Sequence, residues 1–101
     1  MRVAVTYENG EVYQHFGHTE QFKIYVTEEK EILSSEIVDT NGSGHGALAG
    51  MLSGQKVDTL ICGGIGQGAK DALAQAGISL YGGVTGGADA AVKAFLEGTL
   101  S

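Results

Sequence analysis

The stretch Val57-Asp58-Thr59-Leu60-Ile61-Cys62-Gly63-Gly64-Ile65-Gly66 decides how the rest of the chain is read. Four of its first six residues are apolar and form a nearly continuous run, as in a central strand covered on both faces, and the glycines behind them end the strand abruptly. A helical pattern follows. It turns Ala69, Ala72, Leu73 and Ala76 to one side and stops at Gly77, which suits the left-handed position after a helix end. The same order then recurs: an apolar strand at Ile78–Tyr81, the loop Gly82-Gly83-Val84-Thr85-Gly86-Gly87, and a helix presenting Ala88, Ala91, Val92, Phe95 and Leu96 up to Gly98. Strand, glycine loop and helix twice in succession predict parallel strands joined by right-handed crossovers.

Toward the N-terminus the rhythm changes to a period of two. Arg2–Tyr7 alternates Val3 and Val5 with Ala4 and Thr6, and Asn9-Gly10 then marks a turn. Gln21–Glu28 sets Phe22, Ile24 and Val26 against Lys23, Tyr25 and Thr27, a half-buried strand. Glu29-Lys30 is a two-residue turn into a second strand at Glu31–Asp39, completing an antiparallel hairpin. Thr40–His45 is a polar loop, and a short helix after it turns Ala47, Leu48, Met51 and Leu52 inward. A hairpin followed by two strand–helix units gives an α/β fold: one mixed sheet with helices on its faces, one domain over residues 1–101.

The composition narrows the function. A formal charge of −6, with no Lys or Arg cluster, argues against nucleic acid and against anionic membranes. No apolar run is long enough to span a bilayer, and the chain enters its first strand directly, so no leader segment is expected. A single cysteine excludes an internal disulfide and suits a reducing compartment; a cytoplasmic protein is expected. Glycine, at 17 of 101 residues, is above twice its average share and signals many tight backbone positions.

Four side chains carry metal-ligating chemistry. His15 and His18 are three residues apart around Phe16-Gly17, so their imidazoles can converge if the loop is tight; two solvated histidines around a buried Phe16 is the alternative. His45 follows Asn41-Gly42-Ser43-Gly44 at a helix start, where N–H groups favour negative charge, although Ser43 can equally serve as an ordinary cap. Cys62 ends the apolar strand near the carboxyl edge of the sheet, the usual ligand edge. The following helix start would favour its thiolate, whereas a packed core thiol is the competing reading. Gly63, Gly64, Gly66, Gly83 and Gly86 can form anion nests at two helix starts. Neither loop has the Gly-Lys-Ser/Thr ending of a P-loop or a proper G-x-G-x-x-G, and no carboxylate pair is placed for acid–base work.

In this order of motifs the chain resembles the dinitrogenase iron–molybdenum cofactor biosynthesis family, across essentially its whole length. The likeness rests on His15-Phe16-Gly17-His18 before a strand, on Val57–Gly66, on Ala76-Gly77-Ile78, and on the closing Ala91–Gly98 segment. The resemblance implies a ribonuclease-H-like three-layer fold with a mixed five-stranded sheet, as in NifX-type carriers and at the end of NifB-type assembly proteins. It implies non-covalent carriage of an iron–molybdenum cofactor, its precursor, an iron–sulfur cluster or a molybdenum–copper sulfide cluster, without turnover and as a monomer or weak dimer. The cofactor-assembly proteins are the partners it implies. His15 maps onto the family's ligand position, and His18 onto a more variable one. His45 and Cys62 remain candidates by position, and Phe16, Gly17, Gly44 and the loop glycines are candidate contacts to the cluster. The fold name imports no nuclease: Val3-Ala4-Val5-Thr6-Tyr7 offers no acid for metal-dependent cleavage. Two other functions stay open, a regulatory interaction module without a cluster and a small hydrolase or transferase using Cys62 with a histidine.

Overall fold

In the computed structural model, which describes residues 1–41 and 45–100 (of residues 45 and 46 the backbone alone), the alternating and apolar segments become six strands and three helices. The strands are β1 (Arg2–Glu8), β2 (Glu11–Val12), β3 (Gln21–Glu28), β4 (Glu31–Asp39), β5 (Thr59–Ile61) and β6 (Ser79–Tyr81). The helices are α1 (His45–Gly54), α2 (Gln67–Gln75) and α3 (Ala88–Glu97). The sheet runs β4-β3-β1-β5-β6, with β2 paired beside β1. β1, β5 and β6 are parallel, in register Val3↔Thr59 and Thr59↔Ser79, while β3 is antiparallel to both β1 and β4.

The period of two sorts the core into two layers. Ala4, Phe22, Ile24 and Leu60 meet Leu48, Ala49 and Leu52 of α1 and Leu73 of α2 on one face. Val3, Val5, Tyr25 and Ile61 meet Ala88, Ala91 and Val92 of α3 on the other. Each fully buried aliphatic side chain here contributes about 1.5–3 kcal/mol of transfer free energy. Ala47 and Ala76, turned inward by the helical pattern, are exposed. Ala47 stands off the Leu48–Leu52 stripe, and Ala76 is the residue that ends α2.

The resemblance implies five strands, and the described residues form six. The added one, β2, is only two residues long, too short for an alternation to register. It exists because Asn9 and Gly10 both take positive φ, 49° and 86°, the geometry that folds a tight hairpin back on β1. That hairpin also anchors the last helix: the Gly10 carbonyl accepts the Ala88 N–H at 2.9 Å, and Val12 N–H donates to the Gly86 carbonyl at 2.9 Å.

The start of α3 is held from the side as well. Asp89, in its first turn, accepts the Tyr25 hydroxyl at 2.5 Å and pairs with the Lys23 ammonium at 3.0 Å. Lys23 in turn lies 5.6 Å from the centre of the Tyr7 ring and 5.2 Å from that of Tyr25. Burial and the neighbouring carboxylate push the Tyr25 phenol upward, while the Tyr25 and Lys23 hydrogen bonds hold the Asp89 carboxyl below its usual range.

Because the native Asp89 carboxyl is the more acidic form, the unfolded chain takes up the proton first as pH falls. Asp89→Asn is therefore expected to cost about 1 kcal/mol at pH 7, a figure discounted for the carboxylate's solvent exposure. The difference from wild type should shrink as pH drops below the ordinary carboxylate range, about 4. Urea denaturation at several pH values measures it; a pH-independent difference would contradict the assignment.

Candidate functional site

Strand order places the glycine loops after β5 and β6 on one sheet edge. The C-terminal ends of β1, β5 and β6 lie there with the start of β3 and the end of β4. In sheets of this kind ligands bind outside the carboxyl ends of the parallel strands.

Residues 13–15 lie along this edge as an added extended segment. His15 forms a parallel bridge to Gly64; Phe16 N–H donates to the Gly64 carbonyl at 3.0 Å, and Gly64 N–H donates to the Gln14 carbonyl at 2.6 Å. The contact is so close that a Cβ on Gly63 would fall 2.5 Å from the Gln14 Cα. Glycine is required there because a backbone occupies the space a side chain would need. Phe16, 1% exposed, drops into the core, and a 3-10 turn at Phe16–His18 follows, with His18 N–H donating to the His15 carbonyl at 3.0 Å. His15 and His18 themselves stay exposed, and His15 meets the Tyr13 ring edge-on at 6.1 Å. Gly17 is half-buried in the turn between them.

The glycine loops differ from the pair of nests expected. The N–H groups of Gly63, Gly64 and Gly83 donate to the carbonyls of Tyr13, Gln14 and Gly63, so they are committed within the protein. Gly83 and Gly86 have φ of 72° and 94°, which explains glycine at both. The start of α3 is tied to Gly10, as described. The start of α2 is the open one. Its cap residue Gly66 makes no side-chain cap, and the first intrahelical bond is Lys70 N–H to the Gly66 carbonyl at 3.1 Å. The N–H groups of Gln67, Gly68 and Ala69 therefore lack an intrahelical partner. Gly64, Gly66, Gln67 and Gly68 are all exposed.

Cys62 departs from the expected thiolate. It is fully buried, in the same apolar cluster as Phe16 and Leu60, and burial pushes its thiol up to about 11 despite the opposing charge of Lys70. The thiol lies beneath the loop rather than at its mouth, a poor nucleophile for the hydrolase reading. Gly44 lies outside the described residues, as does the side chain of His45. Among the described residues no three His, Cys, Asp or Glu side chains are grouped to hold a metal ion.

On the far side of Tyr13 lies a cleft of about 510 Å³ lined by Tyr7, Tyr13 and the carboxylates of Glu8, Glu20 and Asp39. Its charge repels an anion, so the exposed histidines and the α2 start form the candidate anion site. Sequence reasoning missed Gln14, Tyr13 and Lys70. The double glycine directly after β5 was the available signal for Gln14, since it asks what backbone comes that close.

The whole chain can now be placed among known proteins. It belongs to the dinitrogenase iron-molybdenum cofactor family, which it matches over residues 1–98. It is 34% identical over 106 residues to an uncharacterized protein of Methanocaldococcus jannaschii, covering 99% of this chain and 89% of that one. The crystal structure of PH0822 superposes with a TM-score of 0.94 at 30% identity, covering 100% of this chain and 93% of the other. The apo form of the orange protein from Desulfovibrio gigas gives a TM-score of 0.86 at 30% identity, covering 99% and 90%.

Two substitutions check this geometry. Gly63→Ala is expected to cost about 1–3 kcal/mol through the forced backbone shift. Gly68→Ala, with nothing within 4 Å of the new Cβ, should be neutral or stabilising by about 0.5–1 kcal/mol; thermal melts compare the two. Separately, iodoacetamide at pH 7 should alkylate Cys62 only on unfolding, since with its thiol at about 11 about one in ten thousand is ionised. Rapid native alkylation would contradict the buried placement.

Proposed function

We propose that this chain binds and delivers an anionic metal–sulfur cluster at the sheet edge formed by residues 13–18 and the start of α2, without chemical turnover. The supporting observation is the pairing of His15 with Gly64. It fixes an exposed imidazole beside a glycine segment that leads, three residues later, into a helix start with no side-chain cap. His15 supplies a nitrogen ligand for an edge metal, with His18 as a second candidate on the same turn. The N–H groups of Gln67, Gly68 and Ala69 are suited to hydrogen-bond sulfides, and the Lys70 ammonium adds positive charge on α2. These donors offset the net charge of −6, which otherwise disfavours an anionic cargo.

In this reading the other candidates divide by task. Phe16 and Gly17 seat the histidine loop, and Gly63, Gly64, Gly83 and Gly86 hold the three loops together, leaving Gly66 nearest the cargo. Gly44 and His45 stand as a further candidate contact and ligand from the sequence, outside the described side chains. Cys62 serves packing. The cargo class, an iron–molybdenum cofactor precursor, an iron–sulfur cluster or a molybdenum–copper sulfide cluster, comes from family membership, as do cofactor-assembly proteins as givers and receivers. Family membership is also what supports the ribonuclease-H-like designation of the fold and a monomeric or weakly dimeric carrier in the cytoplasm. No described helix is long and apolar enough to cross a membrane.

Anaerobic mixing with an iron–sulfur cluster or with copper–thiomolybdate, followed by gel filtration at visible wavelengths, tests the proposal. Wild type should retain the chromophore. His15→Ala should bind at least about tenfold more weakly, as expected for loss of a direct ligand. If neither protein retains colour with either probe, the carrier reading is wrong.

A further inference from the structure

We infer that the side-chain amide of Gln14 is the positioning element that sets His15 against the α2 start; the inference builds on the carrier reading above. Gln14 is exposed as a residue, yet its amide nitrogen donates to the Val12 carbonyl and to the Val84 carbonyl, both at 3.0 Å. Both partners are backbone acceptors, so only the NH₂ end of the carboxamide can face them, and its two hydrogens are both used. The second bond spans 70 residues of sequence and crosses to the loop before α3.

The same residue is pinned through its backbone. Its carbonyl accepts the Gly64 N–H at 2.6 Å, and its Cα lies 2.5 Å from where Gly63 would carry a Cβ. Gln14 thus ties three segments at one point: the histidine loop, the loop after β5 and the loop after β6. His15 is the next residue along the chain. Because its own ring contact is only edge-on to Tyr13, the direction of its side chain follows from where residue 14 is held. A loosened residue 14 leaves the fold intact and the imidazole poorly aimed.

Gln14→Met keeps the length and neutrality of the side chain but deletes both donors. In the ligand-free protein, amide hydrogen exchange at Phe16 and Gly64 should accelerate about tenfold, one broken latch of modest strength. The core amides of Ala4 and Ile24 should keep their rates. With copper–thiomolybdate bound anaerobically, the variant should bind about tenfold more weakly. Its visible circular dichroism per unit absorbance should also fall, because a mobile ligand imposes less handedness on the cluster. A purely structural role would change the melting temperature without changing that ratio. Wild-type exchange at Phe16 and Gly64 overturns the latch, as does wild-type dichroism on a bound cluster. If wild type itself retains no colour, the carrier reading fails, and exchange alone decides whether Gln14 positions the loop.

Discussion

The close backbone contact between Gly63-Gly64 and Gln14–Phe16 is the constraint on which the rest of the edge depends. It converts a polar, histidine-bearing loop into an extension of the sheet, at the point where the parallel strands end. Phe16 reaches the core only because the loop is held this tightly. Cys62 is sealed beneath it for the same reason. The cost is chemical: three glycine N–H groups that a sequence reading offers to a ligand are spent within the protein. What is left for a ligand is concentrated at α2.

Charge sets the second limit. The molecule is acidic, and the cleft that Tyr13 lines carries carboxylates of its own. An anion approaching that cleft meets repulsion, whereas the uncapped α2 start and Lys70 offer positive charge. Selectivity for one side of Tyr13 over the other follows from that contrast. α3 could not serve equally, since its first N–H is taken by the Gly10 carbonyl and its first turn carries Asp89.

Much of the fold is legible in the chain because alternation and apolar runs answer directly to burial. β1 and β3 are read from their period of two, β4 from the Glu29-Lys30 turn before it, and β5 from a nearly continuous apolar run. β2 escapes because two residues have no period, though the Asn9-Gly10 pair that creates it stands in plain sight. The site is harder to read. His15 is recognisable as an exposed ligand candidate from its loop, but the burial of Cys62 depends on Phe16 and Leu60, partners brought together only in three dimensions. Gln14 shows no pattern at all, since its role comes from two carbonyls of which one lies 70 residues away. Local signals identify elements, whereas a site built across loops is written in distances that no single segment contains.

That separation has a consequence for when the protein becomes competent. The Gln14–Val84 bond, the Gly10–Ala88 bond and the Lys23–Asp89 pair all join the first quarter of the chain to its last. Contacts of such long range carry the entropic cost of closing long loops. A chain lacking residues 84–89 can still pair its histidine loop with Gly63-Gly64 but has neither the Val84 carbonyl for Gln14 nor the α3 start for Gly10. The edge is therefore complete only when the first and last quarters of the chain are joined, so a molecule without its last quarter presents an incompletely tied seat for a reactive cargo.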